Sequence, residues 1–232
     1  MYIRIKLEND KFFRKNNFPQ MKSEVFTPEN VTVFNNKREN YFSVSENTVR
    51  KTTVQSILDV PKDKKVTALN FANAMYAGGG YVLGGNAQEE SLCRASMLYY
   101  TIKTQKNYYV RNRLHVLPDY TDTVIYSENV PVIRDDTGNI LPKMRFCDFI
   151  TVPAVNRTFA KFLFSENKIN QKMYRRIQLL TDVVLMHSPE IIVFGAFGCG
   201  VFGNKRETVF KIFEETINNK VPDSIKVVFA VP

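Results

Sequence analysis

The chain has 232 residues, 44% hydrophobic and 24% charged, and its 32 Lys and Arg against 23 Asp and Glu leave a net charge of +9. These proportions exclude a disordered tail protein, a collagen-like fibre and a disulfide miniprotein. No apolar run approaches the roughly 18 residues of a membrane span. The basic balance points to polyanionic partners: nucleic acid, phosphorylated small molecules or polymers containing pyrophosphate.

The N-terminus mixes charged and apolar residues from the start and lacks the apolar core of a signal peptide, so a cytoplasmic protein without membrane association is expected. Residues 1–60 read as an accessory segment. Lys6 to Lys22 is charged and Asn-rich, Val31-Thr32-Val33 suggests a short strand, and Glu46 to Leu58 suggests a helix capped by Ser45. From Lys64 onward strands and helices alternate. Val66 to Phe71 reads as a buried strand, and Ala87 to Ile102 as a helix with Leu92, Ala95, Leu98, Tyr99 and Ile102 at helical spacing. Lys103 to Arg113 interleaves Lys103, Lys106, Arg111 and Arg113 with Tyr108 and Tyr109, a pattern of nucleic-acid contact or of a solvated turn between helix and strand. His115 falls in an apparent strand. Thr123 to Tyr126, Val130 to Arg134 and Phe149 to Val152 are strand candidates, with a turn at Asp136 to Asn139. Asn170 to Met186 reads as a long helix, with His187 placed to cap its last carbonyls. Ile191 to Phe194 reads as a strand, Lys205 to Asn218 as a helix, and Ile225 to Val231 as a closing strand. This order argues for an α/β domain over 61–232.

With only two histidines, His115 and His187, a histidine-rich metal site is excluded and little room remains for a Ser-His-Asp arrangement. The three cysteines, Cys93, Cys147 and Cys199, show no metal-like spacing and read as free thiols in a reducing compartment.

Two glycine loops, each following a strand and preceding a helix, carry the chemical signal. Asn86 with Glu89, and Asn204 with Glu207, match the N-cap-x-x-Glu pattern. A strand, a glycine loop and a helix N-terminus together form an anion site, and two such units suggest a ligand with more than one phosphate. The C-terminal loop, Gly195 to Gly203, has four glycines in nine residues. Its Gly198-x-Gly200-x-x-Gly203 matches a dinucleotide fingerprint, but the acid that should end a second strand is misplaced at Asp223. The Walker pattern fails because Asn204 stands where its lysine belongs. Glycines serving only a tight turn are the alternative, and four in nine residues disfavour it. The other loop runs from Asn70 and Asn73 through Gly78-Gly79-Gly80, then seven residues, then Gln88-Glu89-Glu90. Adjacent helical residues point about 100° apart, so the two glutamates cannot share one job.

The spacing Gly-Gly-Gly-x7-Gln-Glu-Glu resembles the signature of poly(ADP-ribose) glycohydrolases. The preceding Asn-Phe-Ala-Asn and following Ser-Leu-Cys-Arg-Ala-Ser look like the microbial-type branch, and Gly195 to Asn204 is similar to that family's diphosphate loop. The resemblance runs from about Val66 to the C-terminus. It implies a macrodomain-like three-layer α/β/α fold with a mixed central sheet, and ADP-ribose in a cleft across the strand ends. It assigns Glu90 as the catalytic acid, Glu89 to the ribose hydroxyls and Asn73 to the terminal ribose. Asn70 stands where the animal enzymes carry an aspartate. Gly78, Gly79 and Gly80, together with Gly198, Cys199, Gly200, Val201 and Phe202, would enclose the diphosphate, with Phe202 against the nucleotide and Gln88 completing the ligand set.

The residues fit the chemistry independently. Breaking a ribose–ribose bond needs a proton for the leaving oxygen, and a glutamate desolvated beside another carboxylate has a raised pKa that suits a general acid. No metal or organic cofactor is called for. The expected substrate is poly(ADP-ribose) or an ADP-ribosylated macromolecule, the expected state a monomer, and the basic surface allows weak nucleic-acid contact. Two other functions stay open: hydrolysis of mono-ADP-ribose attached to protein or DNA, and non-catalytic ADP-ribose binding, which the paired glutamates disfavour.

Overall fold

The computed structural model describes residues 2–16, 18 and 20–232, so positions 1, 17 and 19 of the N-terminal segment lie outside it. Seven strands form one mixed sheet, β1 (Lys22–Phe26), β2 (Thr48–Val49), β3 (Val66–Phe71), β4 (Val124–Arg134), β5 (Ile140–Val152), β6 (Ile191–Gly195) and β7 (Lys226–Ala230), in the order β1-β4-β5-β3-β6-β7-β2. The pairs β1–β4 and β4–β5 are antiparallel, and the rest are parallel. Residues 1–60 thus supply both edges of the sheet.

Side chains alternate between the two faces. Leu69, Ile150, Ile192, Phe194, Val227 and Phe229 pack against α7 (Glu166–Met186) and α8 (Arg206–Lys220). Val66, Ala68, Phe149, Ile191 and Val193 pack against α2 (Thr53–Leu58), α3 (Gln88–Ala95), α4 (Leu98–Ile102) and α5 (Lys106–Leu114). The result is the expected three-layer α/β/α arrangement. Among the described residues, no helix is long and apolar enough to cross a membrane.

Several local expectations are corrected. Tyr2–Lys15 forms helix α1, with Arg4–Glu8 and Lys6–Asp10 ion pairs one turn apart. Val31 to Val33 is not a strand; the following Phe34 has its N–H on Asp182 and its carbonyl on Lys220, so side chains of α7 and α8 hold this stretch instead of a sheet partner. Residues 46–58 do not form one helix. Thr48–Val49 pairs with β7 as an edge strand, and α2 begins only after Thr52, whose hydroxyl accepts from Gln55 N. The helix expected over 87–102 breaks at Ser96, which forms an antiparallel bridge with Val132 while Met97 N donates to Pro131 O. The two strand candidates in 123–134 are one strand, β4, with a register shift between Ser127 and Val130 that absorbs the left-handed Asn129. Lys103 to Arg113 is neither a turn nor a stacking surface: most of it is α5, with Tyr108 and Tyr109 buried against the sheet. His115 caps α5 and its Nε2 lies 2.9 Å from Asp119 Oδ1, while His187 Nδ1 reaches Val183 O at 2.8 Å at the end of α7, as expected.

The chain leaves the C-terminal end of β3 for one face of the sheet, through α3, and leaves that of the neighbouring β6 for the other face, through α8. Diverging connections of this kind open a crevice at the strand ends, where open α/β sheets hold ligands.

Candidate active site

At the end of β3, Gln88 locks the start of α3 in place. Its Oε1 accepts from Phe71 N at 2.9 Å, and its Nε2 donates to Leu69 O at 2.8 Å and to Thr53 Oγ1 at 3.1 Å. The next two residues point to different partners, as the helical angle requires. Glu89 is buried, 3% exposed. Its carboxylate accepts from Asn73 N at 2.7 Å, Gly78 N at 3.2 Å and Asn70 Nδ2 at 3.3 Å. Burial pushes its pKa from 4.5 up to about 8, against the pull of the Asn73 and Asn70 bonds and with the charge of Glu90 adding to the rise. Sequence reasoning expected a desolvated glutamate with a raised pKa at this place, and Glu89 is such a group. Glu90 accepts one backbone N–H on each oxygen, from Gly80 at 2.7 Å and Ala87 at 3.0 Å.

The triple glycine makes this packing feasible. Gly78 and Gly79 have φ of +72° and +54°, and a Cβ on Gly79 would sit 2.6 Å from Glu90 Oε1 and 3.2 Å from Glu89 Oε2. Both carboxylates thus converge on a position that only glycine leaves free. The three N–H groups are occupied, by Glu89, Tyr76 O and Glu90 respectively. This loop holds carboxylates and offers no free donors of its own, in contrast to the anion cradle expected for it.

The second loop does offer donors. Gly198 (φ +69°) and Gly203 (φ +67°) turn it tightly, and a Cβ on Gly198 would meet Ala154 Cβ at 2.4 Å. Asn204 does not cap α8; its side chain ties Val155 O at 2.8 Å and Gly198 O at 3.0 Å, closing the loop from below, and the cap position is Lys205. The backbone N–H groups of Gly200, Val201 and Phe202 have no partner among the described residues. Three consecutive free N–H groups on a loop preceding a helix are the arrangement that binds phosphate.

Between the loops lies a cavity of about 480 Å³. Asn73, Gln88, Glu89 and Glu90 line one wall and Gly198, Gly200, Val201 and Phe202 the other, with Phe71 and Ala154 between. Of the residues expected from sequence, these eight meet at the cavity. Asn70 is buried behind Glu89, Gly78 to Gly80 lie beneath the glutamates, and half-buried Cys199 packs on the core. Phe202 also packs on the core, with Tyr120 5.9 Å away between ring centroids. A second cavity of about 400 Å³ shares Phe71, Ala87, Gln88 and Ala196 with the first and adds Arg206 and Asp136, giving room for an extended ligand. Among the described residues, no group of three or more His, Cys, Asp or Glu side chains could hold a metal ion.

Arg94 escaped sequence reasoning. Buried one turn beyond Glu90, it donates to Gly85 O, to Asn86 Oδ1 at 2.7 Å and to Ser91 Oγ at 2.8 Å, and lies 4.0 Å over the ring of Tyr2 in α1. Asn86 is thereby taken from the capping role expected of it, and Ala87 is the N-cap. Gly85 N in turn donates to Gly80 O at 2.8 Å, so Arg94 braces the loop segment against which Glu90 rests. The Ser-Leu-Cys-Arg-Ala-Ser stretch contains Arg94 but does not mark this role, because besides Ser91 the groups that Arg94 joins come from α1 and from the loop.

The family model for the microbial-type PARG catalytic domain, where PARG is poly(ADP-ribose) glycohydrolase, matches residues 4–135. The crystal structure of the PARG from Thermomonospora curvata bound to the inhibitor ADP-HPD is similar at 26% identity and a TM-score of 0.83, over 99% of this chain and 92% of that one. The PARG from Deinococcus radiodurans in complex with ADP-ribose is similar at 30% identity and a TM-score of 0.78, over 90% of this chain and 87% of that one. Among curated protein sequences there is no significant match.

Proposed function

Because the chain belongs to the microbial-type poly(ADP-ribose) glycohydrolase family, we propose that it hydrolyses ribose–ribose O-glycosidic bonds of poly(ADP-ribose), with Glu90 as general acid and base. The observation that carries this reading is the pairing of two convergent glutamates on one wall of the cavity with three free N–H groups on the other. The free donors of Gly200 to Phe202 suit a diphosphate, and the adjoining cavity suits the remaining nucleoside. Ligand held at both places puts its terminal ribose at Glu90, which supplies orientation.

In this mechanism protonated Glu90 gives its proton to the departing ribose oxygen as the bond to the anomeric carbon breaks, leaving an oxocarbenium-like sugar. The ionised Glu90 then takes a proton from water as the water oxygen bonds to that carbon, releasing ADP-ribose and restoring the acid. Burial raises the Glu89 pKa to about 8, so Glu89 keeps its proton at neutral pH and presents a carboxyl able to bond the ribose hydroxyls. The free thiols of Cys93, Cys147 and Cys199 support a reducing, cytoplasmic setting.

The test is product analysis on poly(ADP-ribose), mono-ADP-ribosylated protein and ADP-ribosylated DNA, with wild type and Glu90→Gln. Wild type should release ADP-ribose from the polymer. Glu90→Gln should lower turnover by about 10²–10⁴-fold while binding ADP-ribose within a few-fold of wild type. Cleavage of the mono-ADP-ribosylated substrates alone would move the assignment to a mono-ADP-ribosyl hydrolase, and unchanged turnover in the variant would remove Glu90 from the mechanism.

A further inference from the structure

Beyond the cavity, the rim beside the second loop carries an apolar surface that the fold does not use. After β5 the chain forms the short helix α6 (Arg157–Ala160) and a turn before α7. Buried Ala160 anchors it, yet Phe159, Phe162 and Leu163 are 61%, 77% and 59% exposed. Among the described residues neither phenylalanine has an aromatic neighbour and Lys161 forms no ion pair, while the Lys161 ammonium lies 5.1 Å over the Phe162 ring. Val201, 87% exposed, extends the same surface onto the loop.

The surface is fastened to the cavity wall. Thr158 N donates to Phe202 O at 3.1 Å, Thr158 Oγ1 to Val201 O at 3.1 Å, and Arg157 Nη1 to Gly203 O at 3.1 Å. Glu166 holds the other two nitrogens of Arg157. α6 therefore keeps a fixed position against the three free N–H groups. Soluble proteins seldom leave aromatic and aliphatic groups clustered in water without a partner for them. Two exposed aromatic faces with an unpaired ammonium match a flat base that carries phosphate, since bases stack on such rings and the cation meets the anion.

Resting on the reading given above, we propose that Phe159, Phe162 and Lys161 form a second nucleotide-binding surface, which holds the ADP-ribose unit next to the one in the cleft. A polymer provides a base and a diphosphate in every unit, so the unit attached across the scissile bond brings both to the rim. The surface would then favour polymer over a single ADP-ribose group without touching the reacting bond.

The experiment compares Phe159→Ser/Phe162→Ser with wild type on poly(ADP-ribose) and on a chromogenic glycoside of a single ADP-ribose. Loss of base stacking predicts a rise in polymer KM of about tenfold, with kcat, the single-unit KM and the melting temperature unchanged. Lys161→Glu should raise the polymer KM as well, more so at low salt. An unchanged polymer KM overturns the proposal, and so does an equal loss on both substrates, which would make α6 a mere support of the cavity. A wild-type protein that cleaves neither substrate fails at the glycohydrolase reading itself, and the proposal falls with it; a wild-type protein that cleaves polymer no better than the double variant fails only here.

Discussion

Gly79→Ala should disable the site by moving one carboxylate. The added methyl would lie 2.6 Å from Glu90 Oε1, where ordinary contact begins near 3.4 Å, so the carboxylate must retreat by about 0.8 Å. Its 2.7 Å bond from Gly80 N then passes out of hydrogen-bond range. The φ of +54° adds a second cost, because an L-residue in the left-handed region is disfavoured by about 1–2 kcal/mol. Leaving this buried N–H and carboxyl without each other adds about 1–3 kcal/mol. At about 2–4 °C per kcal/mol for a chain of this length, the melting temperature should fall by roughly 4–20 °C. Turnover should suffer more, since a misplacement near 1 Å is worth about 10²-fold. The assay is kcat and KM for ADP-ribose release from polymer, with thermal melting by circular dichroism alongside. Gly200→Ala is the control for folding alone: nothing of the protein lies within 4 Å of its Cβ position and its φ is not positive, so its melting temperature should stay at the wild-type value. If folded Gly79→Ala kept kcat within about twofold of wild type, the glycine would not set the position of Glu90 and the reasoning would be wrong.

Three further outcomes are expected. Burial raises the Glu89 pKa from 4.5 to about 8, so the folded protein binds a proton that the unfolded chain has lost, and stability from this group falls as pH rises between those values; thermal melts from pH 4 to pH 9 should show this slope, and Glu89→Gln should remove it. Arg94→Ala leaves Gly85 O and Asn86 without their donor and should lower the melting temperature and kcat together, with Arg94→Lys recovering only part of either because one ammonium cannot reproduce the three-way fork; a kcat unchanged in Arg94→Ala would show that the loop stands without it. Gly198→Ala drives a methyl to 2.4 Å from Ala154 Cβ at a φ of +69°, which should cost about 2–4 kcal/mol, and a melt indistinguishable from wild type would contradict the packing described here.

Much of the architecture was legible because it is written in short-range patterns. Ile191 and Val193 face one layer of helices, Ile192 and Phe194 the other, and a four-residue apolar run is enough to mark a strand buried on both sides. The N-terminal helix was missed because its apolar stripe is thin: Ile5 and Asn9 are its only buried residues. Asn9 is burdened with Arg94 O, Tyr81 OH and Arg134 Nε, contacts up to 125 positions away that no local pattern announces.

The two glycine loops, the spacing of Gln88-Glu89-Glu90 and their order along the chain were sufficient to identify the family and to bring eight of the named residues to one cavity. Which loop would offer free donors could not be read there. Both carry glycine before a helix, yet Gly78 and Gly80 give their N–H groups to Glu89 and Glu90, while Gly200 to Phe202 keep theirs. The same holds for the two carboxylates. Sequence placed them side by side, but only folding buried Glu89 among Asn70, Asn73 and Gly78 and left Glu90 on backbone donors at the cavity wall. The physical reason is that spacing along a chain sets periodicity and conformational freedom, whereas hydrogen-bond partners and desolvation depend on groups brought together from distant positions.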